Sequence, residues 1–196
     1  MEEITNYVNV KKDLSLYASI KNKSSLDKIE KLIQNKNRYN VNSFFVNYDC
    51  TAMGLATELG LTKTVKLLIK YGAHVSSTHV EIACINGHYK IVKVLLNANP
   101  DIIKSVGIDY AIPENTYWNK WGGQSYTESS LLEVSLKIVN YLLIKGAYVI
   151  QYDIDKCREY STDSPNDHLY YQIKDLLVEK QRKQNKLLEK QRKQNN

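Results

Sequence analysis

Residues 51–69 read TAMGLATELGLTKTVKLLI, and residues 78–96 read THVEIACINGHYKIVKVLL. The two stretches share Thr, Ala and Gly at the same offsets, and in each the Gly is followed by a Val-Lys-x-Leu run. Self-similarity at a fixed spacing is typical of proteins built from stacked structural repeats. The sequence therefore predicts a repeat architecture centred on residues 51–96.

Each repeat reads as a pair of helices. The first helix of the earlier copy has the small residues Gly54 and Ala56, which let a neighbouring helix approach closely, and Gly60 then allows a sharp reversal. The second helix places Val65, Leu68 and Ile69 on one face at i, i+3, i+4 spacing. Two helices of this size cannot cover their own apolar faces, so the pairs must stack on one another.

These residues resemble the ankyrin repeat, whose pattern is roughly G-x-T-P-L-H-x-A-x-x-x-G-H-x-x-I-V-x-L-L-L-x-x-G-A-D-V. The first copy matches at Thr51, Ala56, Gly60, Val65, Leu67, Leu68, Gly72, Ala73 and Val75. The second matches at Thr78, Ala83, Gly87, His88, Ile91, Val92, Leu95, Leu96, Asp101 and Ile102. A third outer helix is indicated by residues 138–144, which are followed by Gly146 and Ala147. The resemblance implies a binding module for protein partners rather than an enzyme.

We therefore predict an all-α fold, a short ankyrin-like solenoid of about four stacked helix pairs. Residues 1–177 are assigned to the solenoid, and residues 178–196 to a basic Lys/Gln-rich helical tail. The clearest repeats are expected at 47–76, 77–104 and 105–149, and degenerate repeats at 10–40 and 150–177. In the third repeat, an inner helix at 108–112 stopped by Pro113 precedes an insertion loop at 114–130.

The interval between the two copies departs from the family. Gly60 and Gly87 are 27 residues apart, about six fewer than the ankyrin period. The missing residues belong to the projecting turn between Val75 and Thr78, so one of the family's binding fingers is expected to be absent.

The resemblance implies that partners bind at turn tips and at variable positions late in the inner helices. These positions are Tyr48, Cys50, Glu58, Leu59, Ile85 and Asn86. The alternative is that these side chains are simply solvated.

The insertion is rich in aromatic residues. Tyr117, Trp118, Trp121 and Tyr126 lie close together in it, and tryptophan and tyrosine are favoured anchors at protein interfaces. Trp118 and Trp121 are therefore candidate partner-binding residues. The alternative is that the rings fold back and cover the flank of the repeats. The two glycines Gly122 and Gly123 are not followed by the Lys of a phosphate-binding loop, so they do not indicate nucleotide binding.

The net charge of +6 is concentrated at one end. From Glu179 onward the chain has seven Lys or Arg and two Glu, a net of +5, which leaves about +1 for the preceding residues. The heptapeptide EKQRKQN occurs at 179–185 and again at 189–195. An alternative function is therefore binding of nucleic acid or an acidic partner through this tail. The other interpretation is a solvated helix, since these residues are good helix formers.

No catalytic motif is apparent, and we expect no cofactor, metal or small-molecule substrate. Cys84 and His88 could be considered a metal or nucleophile pair, but Gly87 breaks the helix between them. His88 is instead expected to form a structural hydrogen bond between turns. Three well-separated cysteines, Cys50, Cys84 and Cys157, fit reduced thiols better than a disulfide framework.

We expect a cytoplasmic monomer. Met1-Glu2-Glu3 is not followed by an apolar run, so a secretory signal is not expected, and no segment reaches the about 20 apolar residues of a membrane span. The richness in Asn, Lys, Ile and Tyr, together with the eroded outer repeats, resembles ankyrin proteins of large DNA viruses and intracellular bacteria. That resemblance implies a host protein as the partner and the host cytoplasm as the site of action.

Overall fold

The computed structural model describes residues 15–35, 40–45, 50–113, 116–118, 124–126, 129–161 and 167–194, with the backbone alone at 116–118 and 124–126. The chain divides into two compact units, an N-terminal unit of Met1–Pro100 and a C-terminal unit of Asp101–Asn196. The described residues are overwhelmingly helical, which confirms the predicted all-α class. No helix among them is long and apolar enough to span a membrane.

In the N-terminal unit, the described residues form three consecutive helix pairs. Its helices are α1 (residues 15–21), α2 (Leu26–Gln34), α3 (Ala52–Glu58), α4 (Thr62–Lys70), α5 (Ser77–Ile85) and α6 (Tyr89–Ala98). The outer helices α2, α4 and α6 pack in one row, and the inner helices α3 and α5 pack against each other. This is the stacking that the repeated sequence predicts, and it extends to the degenerate first pair.

The helix boundaries follow from local sequence chemistry. Thr51 caps α3, because its Oγ1 accepts a hydrogen bond from the Gly54 N–H at 3.1 Å. The turns that end α3 and α5 contain Gly60 at φ +71° and Gly87 at φ +65°, a backbone conformation that residues with a Cβ rarely adopt. The apolar stripes of the outer helices then supply the core. Its fully covered residues include Ile20, Ile29, Val65, Leu68, Val80, Ala83, Ile91, Val92 and Leu95.

The connection that precedes α3 contains a short two-stranded ladder. Strand β1 (Phe44–Phe45) pairs antiparallel with β2 (Cys50–Thr51), with Phe44 opposite Thr51 and Phe45 opposite Cys50. The connection that precedes α5 is shorter, as the 27-residue glycine spacing predicts. It passes from Ala73 through Ser76 with no described strand.

Two asparagines satisfy the backbone of that shortened connection. Asn42 donates from Nδ2 to the Gly72 carbonyl at 3.2 Å and accepts the His74 N–H on Oδ1 at 2.7 Å. From the other side, Asn99 Nδ2 donates to the Val75 carbonyl at 3.2 Å. Side chains of the neighbouring connections thus replace the hydrogen bonds that a full turn would make for itself.

The C-terminal unit is built on three further helices, α7 (Ser129–Lys145), α8 (Gln151–Ser161) and α9 (Asp167–Gln194). Helix α9 packs against both α7 and α8. The fully covered residues of these helices and their connections include Leu132, Ile138, Val139, Leu142, Ala147, Cys157, Tyr170, Ile173 and Leu177. The unit therefore has a core of its own.

The region before α7 differs from expectation. Pro100–Ser105 and Ile108–Ala111 form 3₁₀ helices, so the inner helix predicted at 108–112 is present over four residues and is a 3₁₀ helix rather than an α-helix. The segment between Gly107 and Pro113 is too short for two α-helical turns. The carbonyl of Pro113 accepts a hydrogen bond from the Tyr170 hydroxyl at 2.9 Å. The predicted insertion loop contains an antiparallel hairpin of β3 (Thr116–Trp118) and β4 (Gln124–Tyr126).

Helix α9 continues past Leu177 without a break and runs to Gln194. The basic residues of the tail are therefore helical over the part that the structure describes. Lys180 Nζ donates to the Leu143 carbonyl at 3.0 Å, and the Val149 N–H donates to Gln184 Oε1 at 3.3 Å. Leu143 is in the last turn of α7, where its carbonyl also accepts the Gly146 N–H at 3.2 Å, so Lys180 adds a second hydrogen bond to this helix end.

Candidate functional site

The inner helices of the N-terminal unit bring four of the candidate residues to equivalent places. Glu58 and Leu59 precede Gly60, just as Ile85 and Asn86 precede Gly87. Since α3 and α5 are packed against each other, the C-terminal ends of these helices lie next to one another. We call the four residues Glu58, Leu59, Ile85 and Asn86 the inner-helix surface.

The members of this surface differ in their exposure. Glu58 and Asn86 are exposed and Leu59 is half-buried. Ile85 is 51% exposed, although the inward-facing aliphatic residue Val80 on the same helix is fully covered. Asn86 Nδ2 donates to the Ile82 carbonyl at 2.9 Å, so that side chain also serves to end α5. The surface thus offers an uncovered aliphatic side chain beside a carboxylate and an amide.

His88 holds one edge of the inner-helix surface in place. Its Nε2 lies 3.0 Å from the carbonyl oxygen of Glu58, 30 residues earlier in the chain. A Cβ built on Gly60 would lie 2.8 Å from His88 Cε1, so the ring occupies the space that a side chain would need. The expectation of a structural histidine hydrogen-bonded between turns is confirmed. The end of α3 is therefore fixed before any partner binds.

The two candidates at the turn before α3, Tyr48 and Cys50, are placed differently. Cys50 is in β2, directly before the cap of α3, and is half-buried. It lies at the opposite end of α3 from Glu58, about 10 Å away along a seven-residue helix. Tyr48 lies outside the described residues. The role of these two residues in binding stays a prediction.

The two tryptophan candidates belong to the C-terminal unit. The backbone of Trp118 is in β3, where it pairs with Gln124, and Trp121 lies outside the described residues. They are therefore candidates separate from the inner-helix surface. Whether their rings bind a partner or cover the protein stays as the two alternatives predicted from the sequence.

Burial makes a nucleophilic role for Cys84 chemically unfavourable. Burial, with a smaller effect from Glu81, raises the pKa of the Cys84 thiol to about 12, so the reactive thiolate is scarce at neutral pH. The nearby His88 directs Nε2 to a backbone carbonyl instead. Among the described residues, no three His, Cys, Asp or Glu side chains are grouped closely enough to hold a metal ion.

One face of α9 carries features that the sequence patterns did not single out. Lys180 attaches the helix to the end of α7, and Gln184 attaches it to Val149 in the connection between α7 and α8. One turn later, Leu187 is 58% exposed and Leu188 is 41% exposed. The spacing of these residues in the sequence could have indicated this arrangement, because residues separated by three or four positions lie on one face of a helix. This spacing joins Leu177, Lys180, Gln184 and Leu188.

Comparison with known proteins agrees with this architecture. A family model described as ankyrin repeats matches three copies over residues 14–106, which covers the three helix pairs of the N-terminal unit. No curated protein gives a significant match to the chain. Ankyrin repeats are in general protein–protein interaction modules, and the family is typically a non-enzymatic binding scaffold. Residues 14–106 of this chain therefore form an ankyrin-repeat region.

Proposed function

We propose that this chain binds a protein partner on the inner-helix surface, Glu58, Leu59, Ile85 and Asn86. The observation that carries the proposal is the 51% exposure of Ile85 at the end of α5, at the position equivalent to that of the exposed Glu58 in the preceding repeat. Repeats of this kind use such positions for binding because packing within the stack does not determine which residue occupies them.

The energetics favour Ile85 as the central contact. Full burial of an isoleucine side chain stabilises by about 1.5–3 kcal/mol, and about half of that remains to be gained at a residue that is half exposed. Glu58 and Asn86 then supply a charge and an amide at the rim, where polar groups confer specificity. The His88 contact keeps the end of α3 ordered in the free protein, which reduces the entropy lost on binding.

The proposal is for binding without catalysis. Its support is the chemistry of the best nucleophile candidate, Cys84, whose pKa is raised to about 12 by burial. Tyr48, Cys50, Trp118 and Trp121 are proposed as additional contacts of the partner.

The test is affinity capture from a cytoplasmic extract with the full chain and with the Ile85→Glu variant. Ile144→Glu is the matched control, because Ile144 is also an exposed isoleucine near the end of a helix, at 73% exposure. We expect a stoichiometric protein to be captured by the wild type and by Ile144→Glu but not by Ile85→Glu. Binding of the purified partner should then weaken at least about tenfold in Ile85→Glu.

Two further variants separate the alternatives. A variant with Trp118 and Trp121 both changed to Ala tests the hairpin, and a chain ending at Leu177 tests the tail. If Ile85→Glu captures the partner as well as the wild type does, the inner-helix surface is not the site. Loss of capture in the tryptophan variant alone would place the site on the hairpin, and loss in the shortened chain alone would place it on the tail.

A further inference from the structure

The buried face of α9 continues beyond the residues that pack against the C-terminal unit. Leu169, Tyr170, Ile173 and Leu177 are buried on this face. Lys180 and Gln184 follow on the same face and make the hydrogen bonds to the Leu143 carbonyl and the Val149 N–H. Residues three or four positions apart lie on the same face of a helix, so the next positions on this face are 187, 188 and 191.

Two leucines occupy this continuation where it is no longer covered. Leu187 is 58% exposed and Leu188 is 41% exposed. All the residues at 185–194 are exposed. We call this segment the basic end of α9. Exposed leucines on the extension of a packing face present the kind of apolar strip that a second helix can cover.

Cations surround this pair of leucines. Residues 185–194 contain Lys186, Lys190, Arg192 and Lys193 but one acid, Glu189, a net charge of +3. Lys190 is three residues after Leu187, and Arg192 is four residues after Leu188, so each leucine has a cation as its neighbour on the helix surface. Lys190 lies on the Leu187 side of the pair and Arg192 on the Leu188 side, so a cation flanks the leucines on each side.

We propose that the basic end of α9 binds an acidic amphipathic helix of a partner protein. Apolar side chains of that helix cover Leu187 and Leu188, and its carboxylates face Lys190 and Arg192, the cations on either side of the leucines. This site is separate from the inner-helix surface in both residues and charge, and it stands whether or not that surface binds a partner.

The charge and the leucines together select this class of partner. A second copy of the same segment would bring two groups of charge +3 together, which is unfavourable. A nucleic-acid backbone would satisfy the cations but leave the leucines uncovered. An anionic membrane surface favours helices with a wide apolar face, whereas here the described segment 185–194 offers two leucines.

The test uses the full chain and a labelled helical peptide of about 20 residues, long enough to form a helix. The peptide has leucines at heptad a and d positions and glutamates beside them. A matched peptide replaces each of its leucines with glutamine. Two variants of the protein are compared by fluorescence anisotropy: Leu187→Gln with Leu188→Gln, and Lys190→Gln with Arg192→Gln.

We expect the leucine peptide to bind and the glutamine peptide to bind at least about tenfold more weakly. The leucine variant should lose about tenfold in affinity at unchanged salt dependence. The variant without Lys190 and Arg192 should lose affinity and show a weaker salt dependence. Ile85→Glu should bind the peptide as the wild type does, which separates this site from the proposed function. All the substituted side chains of α9 are exposed, so the helical circular dichroism should be unchanged.

Several results would overturn the proposal. One is equal binding of the two peptides, since the leucines would then contribute nothing. Another is tighter binding of a duplex oligonucleotide or of vesicles containing phosphatidylserine, with Leu187→Gln and Leu188→Gln having no effect. Self-association of the wild type in sedimentation, abolished by the leucine variant, would instead assign the surface to a second copy.

Discussion

The imidazole of His88 joins two successive repeats, with Nε2 3.0 Å from the carbonyl oxygen of Glu58. The ring also fills the space beside Gly60, where a Cβ would lie 2.8 Å from Cε1. The glycine and the histidine therefore depend on each other. The glycine supplies both a left-handed turn and room, and the histidine uses that room to reach the end of α3.

Gly60→Ala should destabilise the protein more than Gly72→Ala does. Both glycines have positive φ, +71° and +82°, so an alanine at either position costs about 1–2 kcal/mol for the left-handed conformation. Gly72 has nothing within 4 Å of an added Cβ, whereas at Gly60 the added atom would displace His88. Urea denaturation of the two variants measures the difference in the free energy of unfolding.

A double-mutant cycle identifies the cause. His88→Ala alone should cost about 1 kcal/mol for the lost hydrogen bond. In that background the cost of Gly60→Ala should fall to that of Gly72→Ala, because the ring is gone. Additive effects of Gly60→Ala and His88→Ala would show that the two residues do not interact as described.

The repeats could be predicted because their determinants are local and recur. Glycines at the turn ends, apolar residues at i, i+3, i+4 and the capping threonine at position 51 all act within a few residues of themselves. The pairing of His88 with the preceding turn was also predictable, because it follows from the repeat pattern once Gly60 and Gly87 are aligned. The shortened connection between Val75 and Thr78 follows from the glycine spacing alone.

Other features depend on partners that are distant in the sequence. The hydrogen bonds of Asn42 to residues 72 and 74 join positions at least 30 apart. Attachment of α9 through Lys180 to Leu143 is set by packing of two long helices. The inner helix predicted at 108–112 is a 3₁₀ helix over Ile108–Ala111, because the segment is short and ends at Pro113. No pattern within a short window contains this information.

Thr57→Val should stabilise the N-terminal unit. Thr57 is fully buried in α3, and its Oγ1 finds no hydrogen-bond partner among the described residues. A buried hydroxyl without a partner is unfavourable, and valine has nearly the same shape without the polar atom. We expect the free energy of unfolding to rise by about 1 kcal/mol, measured by urea or thermal denaturation.

The control for that prediction is Thr57→Ser, which keeps the hydroxyl and removes the methyl group. It should destabilise, because the methyl group leaves a small cavity. If valine destabilises as much as serine does, the hydroxyl has a partner that stabilises the native protein.

Stability should depend on pH through His79. The backbone N–H of Ser76, which caps α5, donates to His79 Nδ1 at 3.1 Å, and this requires an unprotonated nitrogen. Burial, with a smaller effect of His74, lowers the pKa of His79 below its usual value near 6.5. The unfolded chain therefore binds the proton more readily than the folded chain does. The stability that neutral His79 provides is complete above the pKa of this residue in the unfolded chain. It is lost as pH falls below that value toward the lower pKa of His79 in the folded chain.

Urea midpoints between about pH 5 and pH 8 measure this dependence. Glutamine at the same helix position can accept the Ser76 N–H without titrating, so His79→Gln should flatten the dependence while keeping the cap. An equally steep loss of stability in His79→Gln would assign the titration to another group.

The three cysteines should react with a thiol reagent at very different rates. Cys50 is half-buried, whereas Cys84 and Cys157 are buried, and burial raises the pKa of each of these two thiols to about 12. The thiolate is the reactive species, so we expect Cys50 to be modified first and the other two to react on unfolding in urea. Mass spectrometry of the labelled peptides identifies the sites. Rapid modification of Cys84 in the folded protein would contradict this assignment and restore a nucleophilic role to that residue.

Gln184→Ala should release the Val149 amide. That N–H donates to Gln184 Oε1 at 3.3 Å, and the loss of such a bond costs about 1 kcal/mol. If the Val149 amide exchanges by local opening, this cost corresponds to about fivefold faster hydrogen exchange. Gln191→Ala is the matched control, since Gln191 is an exposed glutamine two turns further along α9.

Hydrogen exchange followed by NMR should show the acceleration at Val149 in the first variant and none in the second. Because Lys180 still binds the Leu143 carbonyl, the amides of α9 before residue 180 should keep their protection in both variants. Unchanged exchange at Val149 in Gln184→Ala would mean that α9 is attached to the C-terminal unit without this bond.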